Sequence, residues 1–201
     1  MKHLQLQPRL QLLADMVPQG ARLADIGTDH GYLPVWLMQQ GRIASAIAAD
    51  IGPRGIAPHE ADTVVIAGMG GETIIQILTD SPWPRTSGCT LLLQPQTKVE
   101  LLRRWLSENG YACRDERLVW DKGKLYVVLQ MAAGEAFTPE EARLYAGFCL
   151  ATIWMHSCGG CGGDWRACTA AGKTRTAARC RSSLPPWRRK RRRFHDHSTG
   201  Y

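Results

Sequence analysis

No apolar run in this 201-residue chain reaches about 18 residues, which argues against a membrane-spanning helix. The opening stretch, MKHLQLQP over residues 1–8, lacks an apolar signal core, so a cytoplasmic location and reduced cysteine thiols are expected. Internal repeats are missing as well. Acidic residues almost vanish after residue 150: only Asp164 and Asp196 face nine Arg and two Lys over 151–201, a net +9 that leaves −2 for residues 1–150. Four of the seven Cys and three of the seven Trp fall in that last quarter too. So sharp a break predicts a boundary near residue 150, with a folded domain over 1–150 and a basic Cys/Arg-rich tail over 151–201. The tail keeps no helical period and, as a charged, unpatterned segment, is expected to be disordered.

The first 150 residues do carry pattern. Leu10, Leu13, Met16 and Val17 share one face of a helix over 9–17, ended by Pro18-Gln19-Gly20. Strands are predicted over 21–26, 44–50, 63–67 and 89–93, the last stopping at Gln94-Pro95. Helices are predicted over 31–40, with Pro34 tolerated in the first turn, over 72–78, and over 97–109 with Gly110 closing it. Segments 117–120 and 125–131 flank Asp121-Lys122-Gly123-Lys124, a hairpin signal. Thr138-Pro139-Glu140-Glu141 reads as a capping box that starts one more helix. Strands alternating with helices and ending in an antiparallel hairpin imply an open α/β sheet.

In such a sheet the ligand sits beyond the carboxyl ends of the strands. There the sequence places LADIGTDHGYLP (23–34), Asp50, and the Gly-rich loop Gly68-Met69-Gly70-Gly71. A dinucleotide-binding loop would need G-x-G-x-x-G, but Asp29 stands where backbone should approach a pyrophosphate. At ~4 Å and an effective dielectric of about 20, the repulsion is roughly 4 kcal/mol. S-adenosylmethionine has no phosphate and carries an ammonium and a sulfonium, so Asp25 and Asp29 suit its charge. Asp50, about 20 residues after the loop, is placed to accept ribose hydroxyls. The plainer alternative is that Asp29 and His30 only cap the following helix.

ADIGTDHGYLP, followed by VVIAGMGGETI, LLLQPQ and KLYVVLQM, closely resembles the bacterial tRNA (adenine-22-N(1))-methyltransferase family from about Arg9 to about Leu150. The resemblance implies a Rossmann-like class I methyltransferase sheet, S-adenosyl-L-methionine as cofactor, tRNA as partner, and no metal. It implies that Asp25, Gly27, Thr28, Asp29 and His30 line the methionine end of the cofactor and that Asp50 binds its ribose. Ala67, Gly68, Met69 and Gly70 would form the floor between cofactor and target base. N(1) of adenine would attack the sulfonium methyl in line, with Asp29 or His30 accepting from the adenine amine and Met69 as a packing surface. The chain is expected to be a monomer.

Two departures from the family stand out. Between residues 51 and 62 some thirty family residues are missing, namely a crossover helix, a third strand and an acid that reads the cofactor's adenine. Only Gly52-Pro53-Arg54-Gly55 remains at the front of that linker. One sheet edge should then lie open, one face uncovered, and cofactor binding be weakened or lost. After Leu150 the family's long amphipathic helix gives way to Cys158-x2-Cys161, Cys168, Cys180, and the basic run 188–193. That composition fits a frameshifted reading of GC-rich codons. The cysteine spacings match no standard zinc module. The competing functional reading is a non-catalytic nucleic-acid-binding remnant with a vestigial cofactor domain.

Overall fold

The computed structural model describes residues 5–28, 30–49, 56–136 and 138–147, all within one unit, residues 1–150. The predicted tail, 151–201, lies outside the described residues.

Six strands form one sheet in the order β2-β1-β3-β4-β6-β5. They are β1 (Ala21–Ile26), β2 (Ile43–Ala49), β3 (Thr63–Gly70), β4 (Thr90–Thr97), β5 (Tyr111–Asp121) and β6 (Lys124–Ala133). The first four run parallel, and β6 inserts antiparallel between β4 and β5. This is the predicted α/β sheet with its terminal hairpin.

Period-two patterning splits the core between the two faces. Leu23, Val65, Leu92 and Val128 point to the face covered by α1 (Pro8–Met16) and α2 (Tyr32–Gln39). Ala24, Ile26, Val64, Ile66, Leu91, Leu93 and Leu129 point to the face covered by α3 (Gly71–Asp80) and α5 (Val99–Glu108). Between α3 and β4 lies a short helix, α4 (Trp83–Thr86), which sequence patterning does not predict. A register shift between Ala21 and Arg22 swings β2 round, so Ile43 packs on the first face and Ile47 and Ala49 on the second.

Several boundaries differ from expectation. Strand β3 runs through the predicted loop at Gly68–Gly70, because bulges after Ala67 and Met69 let it keep pairing with Pro95 and Thr97. Strand β4 likewise continues past Gln94-Pro95. The Gln94 side chain accepts the Gly68 N–H (3.3 Å) and donates to the Pro95 carbonyl (3.0 Å), bridging both strand ends. The capping box does not form: Glu140 is extended, no side chain caps the helix, and α6 is Glu141–Ala146. That helix is seated instead by α5, where the Arg103 guanidinium donates to the Leu144 carbonyl (2.6 Å) and pairs with Glu116 of β5 (2.6 Å).

Strand β2 is left at the sheet edge, with Ala44, Ser45, Ala46 and Ala48 exposed. From the linker, Ile56 and Ala61 are buried in the core beside β1 and β3.

Candidate active site

Two loops leave the same end of the sheet side by side, since β1 and β3 are hydrogen-bonded neighbours. The first follows Ile26, one residue after Asp25, which sits within β1 between Ala48 of β2 and Val65 of β3 and is only 5% exposed. Burial pushes its carboxyl up from 3.8 to about 6, opposed by a hydrogen bond with the Thr28 side chain. The Thr28 hydroxyl oxygen in turn accepts the Gly31 N–H (3.1 Å), so carboxylate, hydroxyl and the start of α2 form one relay. Gly27, at φ 71°, turns the chain out of the sheet while its N–H returns to the Ala49 carbonyl (2.7 Å).

His30 is also left-handed, at φ 64°, a conformation that side chains adopt under constraint. Its ring stacks on Tyr32, 5.6 Å between centroids, and both rings are exposed.

The second loop is the bulged end of β3. Ala67 and Met69 are half-buried against opposite core faces, and Gly68 is held by Gln94. Where α3 begins, Gly71 passes so close to the Lys98 carbonyl that a Cβ would collide with it. A side chain at 71 would therefore pry α3 from the start of α5.

The structure thus brings together Asp25, Gly27, Thr28, His30, Ala67, Gly68, Met69 and Gly70 of the predicted site. Asp29 and Asp50 lie outside the described residues. Sequence reasoning did not single out two residues that touch the predicted ones, Gln94 on Gly68 and Tyr32 on His30. Gln94 is a buried amide within β4, and the signal in the sequence was a polar residue directly after the apolar run Leu91-Leu92-Leu93. Tyr32 was visible only as part of the loop pattern. Among the described residues no cluster of His, Cys, Asp and Glu has metal-binding geometry, and no helix is long and apolar enough to cross a membrane.

A buried carboxylate of raised pKa, among glycines and a hydroxyl, favours a cationic ligand over a phosphate. Comparison with known proteins agrees. The family described as "Methyltransferase domain" matches residues 6–56 and 51–129. The tRNA (adenine(22)-N(1))-methyltransferase of Bacillus subtilis is 36% identical over 162 residues, covering 67% of this chain and 68% of the relative. The crystal structure of the B. subtilis M1A22 tRNA methyltransferase TrmK superposes with a TM-score of 0.66 at 27% identity, over 88% of this chain and 92% of that one. A Streptococcus pneumoniae protein assigned as a tRNA (m1A22) methyltransferase, solved in complex with S-adenosyl-L-methionine, gives 0.64 at 27% identity, over 74% and 86%.

The fold is that of a methyltransferase domain. Within that class, the chain belongs to the tRNA (adenine-22-N(1))-methyltransferase family.

The same comparison exposes a gap. The 162-residue alignment occupies 67% of this chain, about 135 residues, so about 27 positions of the relative face no residue here. The two family matches meet at 51–56, where the sequence predicts the missing crossover.

Proposed function

We propose that residues 1–150 bind S-adenosyl-L-methionine and transfer its methyl group to N(1) of an adenine in tRNA, as a cytoplasmic monomer. The observation that carries this is the buried Asp25 carboxyl, bonded to Thr28, at the mouth of paired Gly-rich loops. When bound, the cofactor supplies an electrophilic methyl on a sulfonium whose departure as a thioether needs no acid. Asp25 then faces the ammonium of its methionine end. The Thr28 hydroxyl, bonded to Asp25 and to the Gly31 N–H, holds that carboxylate in place. Asp29 completes the charge match, and Asp50 accepts the ribose hydroxyls. Ala67, Gly68, Met69 and Gly70 wall the gap into which the unstacked adenine enters, and His30 or Asp29 accepts from its amine. Catalysis is mainly positioning.

The two family matches meet at 51–56, just after β2, which supports placing the gap of about 27 positions there, on the ribose and adenine side, with cofactor affinity weakened at that end. The same observation favours the second reading, an RNA-binding remnant that no longer methylates. Calorimetric titration with S-adenosyl-L-methionine, followed by mass spectrometry of unmodified tRNA incubated with both, separates the two. Binding that Asp25→Ala abolishes, with one methyl added to adenine, supports the enzyme; no heat at millimolar cofactor leaves only the remnant. Residues 151–201 are proposed to be an out-of-frame reading, which resequencing the coding DNA tests.

A further inference from the structure

We infer that the tip of the β5–β6 hairpin, residues 120–125, is a contact surface for the RNA substrate, with Trp120 stacking on an unpaired base and Lys122 and Lys124 meeting flanking phosphates. The inference rests on the tRNA methyltransferase reading and extends it to a part of the molecule outside the cofactor loops.

The topology places the tip. Both β4 and β5 run antiparallel to β6, so β5 is parallel to β4. The end of β5 and the start of β6 therefore lie at the sheet end where β1, β3 and β4 finish, the end of the two Gly-rich loops. The order β3-β4-β6-β5 sets the hairpin two to three strand spacings from β3, about 10–14 Å. That is within reach of a few nucleotides flanking a base held at the loops.

The chemistry of the tip suits RNA. Trp120 is 67% exposed and pairs across the hairpin with Leu125, 48% exposed. Trp is highly buried on average, so a large exposed indole is informative. One rung earlier, Leu118 pairs with Val127, and both pack into the core. The apolar row therefore runs off the core onto an open platform. Lys122 and Lys124 flank it, both exposed. The one acid of the tip, Asp121, is buried and neutralised by Arg9 of α1 (2.6 Å), whose guanidinium also lies over the Tyr126 ring (4.8 Å). Arg9 thus ties the tip to α1 from behind, and the tip presents an exposed aromatic beside two exposed lysines. That is the pairing by which single-stranded nucleic acid is bound.

The test measures binding of an unmodified tRNA transcript to the full chain by fluorescence anisotropy at several salt concentrations, with S-adenosyl-L-methionine calorimetry in parallel. Trp120→Ala should weaken tRNA binding about tenfold and Trp120→Phe should restore most of it. Lys122→Gln with Lys124→Gln should flatten the dependence of log K on log salt by about 1.5. Cofactor heats should stay those of the parent in every variant. If Trp120→Ala binds within twofold of the parent and the double lysine variant keeps the parent's slope, the surface is overturned while the methyltransferase reading stands. If the parent itself binds no tRNA, both fall.

Discussion

The sheet has two edges, and they are built differently. Strand β5 carries Arg114, Asp115, Glu116 and Arg117 along its length and bulges between Cys113 and Asp115. Charges and a bulge are how a strand is protected from pairing with another chain. Strand β2, IASAIAA, has no charged residue, and four of its seven positions are exposed. Its composition is that of an interior strand placed at an edge. The two limbs of the sheet therefore end differently, one in a charged, bulged strand and the other in an uncharged, exposed one. The charged limb carries the β3 loop and the hairpin. The uncharged limb borders Asp25 and leads to Asp50.

If that contrast is right, truncation should be far more damaging on the charged limb. Leu92 is fully buried in β4, and Leu92→Ala should lower unfolding free energy by about 3–5 kcal/mol in urea denaturation. Ile47→Ala in β2, only partly packed, should lower it by about 1 kcal/mol or less. Equal losses would mean that β2 is covered in solution.

The ion pairs sharpen the same contrast. At β5, Glu116 is buried against Arg103 (2.6 Å, side chains 1% and 12% exposed). Glu116→Ala strands a guanidinium and should destabilise by about 3 kcal/mol. At β1, Arg22 and Asp62 meet at 3.2 Å with both side chains about half exposed, and Asp62→Asn, which keeps an oxygen for the Arg22 N–H (3.0 Å), should shift the thermal midpoint by about a degree or two at most.

Asp25 sits between the limbs and titrates. Its folded pKa, about 6, lies above the unfolded 3.8, so the native state holds the proton more tightly. The stability it lends is full below pH 3.8 and is lost as pH rises to about 6, by about 2–3 kcal/mol. Asp25→Asn should therefore match the parent at pH 3.5 and exceed it at pH 7 in denaturant titrations. A cationic ligand reverses the sign. S-adenosyl-L-methionine should bind more tightly as pH rises through 6, and calorimetry at pH 5.5 in buffers of different ionisation heat should detect proton release.

Much of this arrangement was legible in the sequence. Strand β1 falls where its apolar run ends in Asp25, and α2 tolerates Pro34 because an N-terminal turn has no use for that N–H. Both loops were visible as Gly-rich breaks at strand ends. What sequence reasoning could not see was decided by tertiary contact. Strand β4 outruns Gln94-Pro95 because the Gln94 amide satisfies Gly68 and Pro95, a bond between segments 26 residues apart. The helix predicted at Thr138 starts later, at Glu141, where the Arg103 guanidinium donates to the Leu144 carbonyl and seats the helix on α5. Residues 111–116 of β5 escaped because a strand alternating charges over an edge shows no apolar period.

The smallest expected effect is the one most specific to the open edge. Ala46 is exposed in the middle of β2, opposite Leu23 of β1. A lysine there meets water and no partner strand, so Ala46→Lys should change unfolding free energy by no more than about 0.5 kcal/mol. In an interior strand the same change would bury an ammonium and cost several times more. A lysine on an open edge also hinders pairing with a second chain. Sedimentation of the variant and the parent across a range of concentrations should therefore show the variant associating less, at unchanged stability. A large loss of stability without change in association would mean that β2 already has a neighbour in solution, and the contrast between the two edges would fail.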